Sequence, residues 1–166
     1  MPTRDLANDI EVSGIVTFDR VQGSDGTIID SSVIDLNGYQ SVTLVGMTGR
    51  CVDGTRDVSL RFILTHSDAT NNASFENVPS KYIIGQDSHE VDLVANGNNA
   101  NAISNQVVKF GYKGTKRYVR LSFQKLASTG NNQSNRVNYC MFSIGGHLAQ
   151  LPVGFELDDE NEDHRT

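Results

Sequence analysis

At 166 residues, with 37% hydrophobic and 20% charged residues, the chain has the size of one folded domain and enough apolar side chains to bury a core. No run approaches the ~20 apolar residues of a membrane helix, and the opening MPTRDLANDIEV lacks the apolar stretch of a secretory signal. The net charge of −6 is uneven: the C-terminal stretch FELDDENEDHRT sets six carboxylates against Arg165, a balance of −5, and leaves the body at −1. Local patches, not overall charge, therefore decide what the body can bind.

In chain order, residues 1–11 read as an extended polar arm, 12–155 as one β domain and 156–166 as an acidic tail. VSGIVTFD and IIDSSVIDL both alternate, and Asp25-Gly26 between them is a hairpin signal. Asn37-Gly38 turns the chain into YQSVTLVGM, and Asp53-Gly54 into DVSLRFILTHS. In that last segment Val58, Leu60, Phe62 and Leu64 share one face, which is expected to be the core face. A polar loop is expected from Ser67 to Lys81. Short strands KYIIGQ and SHEVDLVA follow, then the Asn-rich loop NGNNANAISN, then QVVKFGY and KRYVRLSFQKLA. A second polar loop, STGNNQSN, leads to the last strand, VNYCMFSIGGHLAQL. No window carries a helical stripe. Eight to nine short strands joined by long polar loops imply an all-β antiparallel sandwich or jelly roll.

The segment FGYKGTKRYVRLSF, Phe110–Phe123, concentrates positive charge among aromatics. Gly114-Thr115 suits a two-residue hairpin loop, which sets Lys109 opposite Arg120 and Gly111 opposite Tyr118. Val108, Phe110, Val119, Leu121 and Phe123 then share the core face; Lys109, Gly111, Tyr118, Arg120 and Ser122 share the outer one. Like charges directly across a strand pair are unfavourable, so Lys109 and Arg120 call for an acidic neighbour from another strand, the tail or another protein. Lys109, Lys113, Arg117, Tyr118 and Arg120 are thus the candidate protein-interface residues, and Arg120→Glu is expected to weaken assembly while leaving the monomer folded.

Other chemistry finds little footing. KGTKRYV is similar to the basic-aromatic strand of RNA-recognition motifs, but Thr115 and Arg117 stand where aromatics are needed, so no nucleic-acid partner is expected. His66, Ser67 and Asp68 are consecutive and form no triad, and no Gly-x-Ser-x-Gly elbow is present. His66, Asp68, His89 and Asp92, or Asp25, Asp30 and Asp35, lack metal-site spacing and read as turn and strand-end residues. Cys51 and Cys140 read as reduced thiols, and the Asn-x-Ser sequons at Asn72 and Asn132 as chance matches in Asn-rich loops. No enzyme, cofactor or small-molecule substrate is expected.

Two segments carry a family resemblance. Asp35, Leu36, Gly38, Tyr39, Ser41 and Val42 form one; Tyr112, Gly114, Thr115, Lys116, Arg117, Tyr118, Val119 and Arg120 form the other. Together they resemble small β-rich virion proteins of tailed bacteriophages. That resemblance implies a structural protein made in the host cytoplasm and mounted on the outside of the head. Its partners would be the major capsid protein and further copies of itself in a trimer, and it would act as a decoration or cement protein. A head–tail connector or tail component is the alternative within the class. A carbohydrate-binding β-sandwich is the alternative outside it; the absence of Trp counts against stacking on sugars, while Tyr39, Tyr82 and Tyr118 keep that reading open.

Overall fold

The computed structural model describes residues 10–21, 26–52, 58–95, 103–128 and 136–147. Most of the expected arm, the acidic tail, the Asp53-Gly54 turn and the two Asn-rich loops fall outside them. Eleven strands are described: β1 Ile10–Val21, β2 Ile28–Asp30, β3 Ile34–Asp35, β4 Tyr39–Val52, β5 Val58–Ser67 and β6 Glu76–Asn77, followed by β7 Ile83–Ile84, β8 Glu90–Ala95, β9 Val107–Tyr112, β10 Tyr118–Ser128 and β11 Arg136–His147.

Every strand pair is antiparallel. One sheet runs β1-β11-β4-β9-β7. The other runs β2-β10-β5-β6, with β3 also paired to β10 and β8 also to β5. Outer strands thus pair with outer strands: β1 with β11, β2 and β3 with β10, β4 with β9, β5 with β6 and β8. That nesting is the double Greek key of a jelly roll. The count rises from the expected eight to nine to eleven because IIDSSVIDL divides into β2 and β3 and because β6 forms inside the expected polar loop. IIDSSVIDL breaks at Ser31, whose Oγ accepts the Leu121 N–H (3.2 Å) in place of a backbone carbonyl. KYIIGQ contributes only β7, because Ser80–Tyr82 coils into a 3-10 turn.

Both hairpins expected from turn residues are corrected. β1 lies in the first sheet and β2 in the second, and the same is true of β9 and β10. Gly114-Thr115 belongs to a crossover between layers. Lys109 lies opposite Val45, Gly111 opposite Thr43 and Ile84, and Arg120 opposite Thr65. The reason is physical: alternation puts Val108, Phe110, Val119 and Leu121 inward whether β9 and β10 pair or face each other across the core. The turn chemistry is compatible with both arrangements.

Leu60, Phe62 and Leu64 are fully buried, as the alternation of β5 requires. The layers meet on an aromatic column. The Phe123 ring stacks on Tyr139 of the opposite sheet at 4.5 Å and 9°, and Phe62 tilts against Phe123 at 5.0 Å. Burying side chains of this size contributes about 1.5–3 kcal/mol each. Cys140 is free and half-buried.

Candidate functional site

The crossover Lys113–Arg117 is held by its own sequence. Tyr112, on the inward face of β9, is its anchor. The Lys116 N–H donates to Tyr112 Oη (3.1 Å), and the phenol hydrogen-bonds His66 Nδ1 (2.9 Å). The His66 pKa is lowered, chiefly because burial penalises its charged form; Glu76, 3.6 Å from Nε2, pulls the other way and is outweighed. With its proton on Nε2, the nitrogen that faces Glu76, neutral His66 accepts at Nδ1, and in that tautomer the phenol donates to it while accepting from Lys116. Burial likewise raises the Tyr112 pKa.

Gly114 lies against the Tyr112 ring; a Cβ there would come within 2.3 Å of Tyr112 Oη. Gly114→Ala therefore has to displace a buried ring or the crossover. We expect a loss of about 1–3 kcal/mol in a urea titration, whereas an unchanged midpoint would mean the ring moves without cost.

The two cations that follow find acids within the chain. Lys116 Nζ is paired with Asp68 and lies 3.9 Å from Glu76. Arg117 grips Asp35 with two bonds, Nε to Oδ1 (2.9 Å) and Nη2 to Oδ2 (2.7 Å), and lies over the Tyr118 ring at 5.2 Å. The backbone adds Leu36 N–H to Arg117 O (2.8 Å). Asp35 Oδ1 also accepts the Asn37 N–H (3.0 Å), starting a turn closed by Tyr39 N–H to Leu36 O (3.0 Å) with Gly38 at φ +92°. The two segments of the family resemblance, distant in sequence, thus build one corner of the sandwich.

The Arg117 bonds, with help from the Asn37 amide, bring the Asp35 pKa down from 3.8 to about 2. A carboxyl with a depressed folded pKa stabilises the fold above its unfolded value and loses that contribution as pH falls through the folded one. The wild-type melting temperature should therefore fall more steeply than that of Asp35→Asn between pH 3.8 and about 2. Parallel curves would show that the clasp adds nothing.

Arg120 is not on an outward charged face. It is 8% exposed, with Nη1 at 3.2 Å from Asp30 Oδ2 and donating to Asn72 Oδ1 (3.0 Å), and its guanidinium lies 4.3 Å from the Phe75 ring centroid. Asp30 also accepts from Ser122 Oγ (2.6 Å). The expected polar loop supplies this cover: its 3-10 turn Asn72–Ser74 and Phe75 close over the middle of β10. The acidic neighbour that Arg120 requires is Asp30, from the adjacent β2. The pairing of Lys109 with Arg120, and their shared outward face, are corrected accordingly.

Of the remaining interface candidates, Lys109 and Lys113 are exposed and have no ion pair among the described residues, Arg117 is exposed but clasped to Asp35, and Tyr118 is half-buried. Beside Lys113 a groove of about 550 Å³ opens, with Leu36, Tyr39, Val42 and Ile84 supplying apolar wall. Lys113, Lys116 and Arg117 supply its cationic rim. Among the described residues no three His, Cys, Asp or Glu side chains gather as a metal site. Asp92 instead accepts two bonds from Arg61. Sequence reasoning missed Tyr112, Asp35 and Asp30 as site-building residues. The signal for Tyr112 was its inward position on β9; nothing local pointed to the acids.

No family model matches the chain, and no curated protein matches it. Among solved structures, it is similar to a chain of Desmodium yellow mottle tymovirus at 8% identity and a TM-score of 0.32, covering 86% of this chain and 91% of that one. It is also similar to the infectious bursal disease virus VP2 of a subviral particle, at 14% identity and a TM-score of 0.34. That match covers 83% of this chain and spans about a third, 32%, of VP2.

Proposed function

We propose that this jelly roll is a structural protein of a tailed-bacteriophage virion, a decoration protein that sits on the outside of the head and clamps neighbouring capsid subunits. One observation supports it above the others. The Asp35–Val42 and Tyr112–Arg120 segments, which carry the resemblance to phage virion proteins, dock on each other through Arg117 and Asp35. The residues that carry the resemblance therefore lie together in one three-dimensional unit. A clamp needs a stiff scaffold and charge complementarity to set its register. Lys109, Lys113, Arg117 and Tyr118 form the proposed contact face toward the major capsid protein; Arg120, covered by the Asn72 turn, is left out of it. In this reading the protein acts as a homotrimer and performs no catalysis.

Counting copies per particle by quantitative mass spectrometry of purified virions tests the role. A shell-wide decoration protein is expected at hundreds of copies, whereas a connector or tail ring holds roughly a dozen, as closed symmetry dictates. A count near a dozen would overturn the decoration role in favour of the connector.

A further inference from the structure

We infer that the groove beside Lys113 is the docking site for the chain's own C-terminal segment, Leu151–Asp163. The path of the chain leads there. The last described residues of β11, Gly146 and His147, pair with Ser41 and Tyr39, and both of those line the groove. Three residues separate His147 from Leu151, and an extended chain covers about 3.3–3.6 Å per residue. Docking within one molecule is thus within reach and is favoured over a neighbour's segment by a high effective concentration.

The chemistry of the segment matches that of the site in two parts. Leu151, Val153, Phe155 and Leu157 alternate with Pro152, Gly154 and Glu156, which gives an extended chain one apolar edge. The groove offers Leu36, Val42 and Ile84 to that edge, and Ile84 is 57% exposed without it. Glu156, Asp158, Asp159, Glu160, Glu162 and Asp163 then follow, next to a rim whose Lys113 has no ion pair among the described residues. Lys109 lies four residues back, on the exposed face of β9. The N-terminal arm also reaches this end, with Ile10 opposite Gly146 and Glu11 accepting from Tyr39 Oη of the groove wall, but residues 1–9 carry Arg4 against Asp5 and Asp9 and have no apolar alternation. The acidic segment fits better on both counts. The inference holds with or without a capsid partner. Where both hold, the segment and the capsid compete for the same lysines.

Zero-length carbodiimide cross-linking of the full chain, mapped by mass spectrometry, tests it without a capsid. An equal mixture of ordinary and ¹⁵N-labelled protein separates links within one molecule from links between two. Links from Lys113 and Lys109 to the carboxylates of 156–163, within single molecules, are expected. Phe155→Ser with Leu157→Ser should reduce them several-fold, because that variant keeps every carboxylate and the full reach of the tail. The inference is overturned if the links spread evenly over all lysines, if they run only between molecules, if residues 1–9 supply them, or if the double variant leaves their yield unchanged.

Discussion

Arg120→Glu should cost about 3–5 kcal/mol of folding stability, the range for a charge left uncompensated in a buried pair. The substitution places a carboxylate beside Asp30 on β2, removes the bond to Asn72, and strips a cation from the face of Phe75. Like-charge repulsion replaces attraction at a site that is 8% exposed, so solvent cannot screen it well. Urea titration followed by circular dichroism should show a much lower midpoint, or a chain unfolded in buffer. Arg120→Met separates the components: it keeps an unbranched stem over Phe75 and introduces no like charge, so its loss should be clearly smaller. If Arg120→Glu folds with a wild-type midpoint and fails only in assembly, Arg120 faces outward and its position under the Asn72 turn is wrong.

Phe123→Ala should cost about as much, about 3–5 kcal/mol, for a different reason. Phe123 is fully buried and touches both layers through Tyr139 and Phe62. Truncation removes the transfer free energy of the ring and leaves a cavity that two β-sheets, tied by their own ladders, cannot collapse to fill. The denaturant midpoint should fall with little change in slope. Lys113→Ala, at an exposed position on the groove rim, should stay within about 0.5 kcal/mol of wild type in the same titration. Similar losses for the two variants would contradict the placement of the core.

The contrast between these positions shows what alternation conveys and what it leaves open. The inward assignment of Leu60, Phe62 and Leu64, and of Val108, Phe110, Val119 and Leu121, holds in the structure because a period of two has only one way to bury an apolar edge. The pairing of those strands was not legible. Asp25-Gly26 and Gly114-Thr115 both read as hairpin turns, yet each falls between strands of different layers. A tight turn and a sheet-to-sheet crossover use the same permissive residues, and the choice is made by contacts distant in sequence. For the second crossover those contacts are Arg117 with Asp35 and Lys116 with Asp68.

The candidate site divides in the same way. The need of the Phe110–Phe123 cations for acidic neighbours was visible from like charges crowding one segment. The identity of those neighbours was not, because Asp30, Asp35 and Asp68 are brought in by β2, β3 and the chain beyond β5. Arg120 reads as outward-facing because it alternates with Val119 and Leu121. It does point away from the inter-sheet core, but the loop carrying Asn72 and Phe75 covers it. Alternation distinguishes two faces of a strand and says nothing about what lies over the outer one. Once Arg120, Lys116 and Arg117 are assigned to partners in the chain, Lys113 and the adjoining Lys109 remain as the cations without an ion pair among the described residues.

Capsids that lack the protein provide the most direct measurement. Purified full-length protein is added to them in their immature and expanded forms, and bound copies and the temperature of heat-induced opening are recorded. Saturable binding to the outer surface with a raised opening temperature is the expected result. Absence of binding to every capsid state would contradict the decoration role.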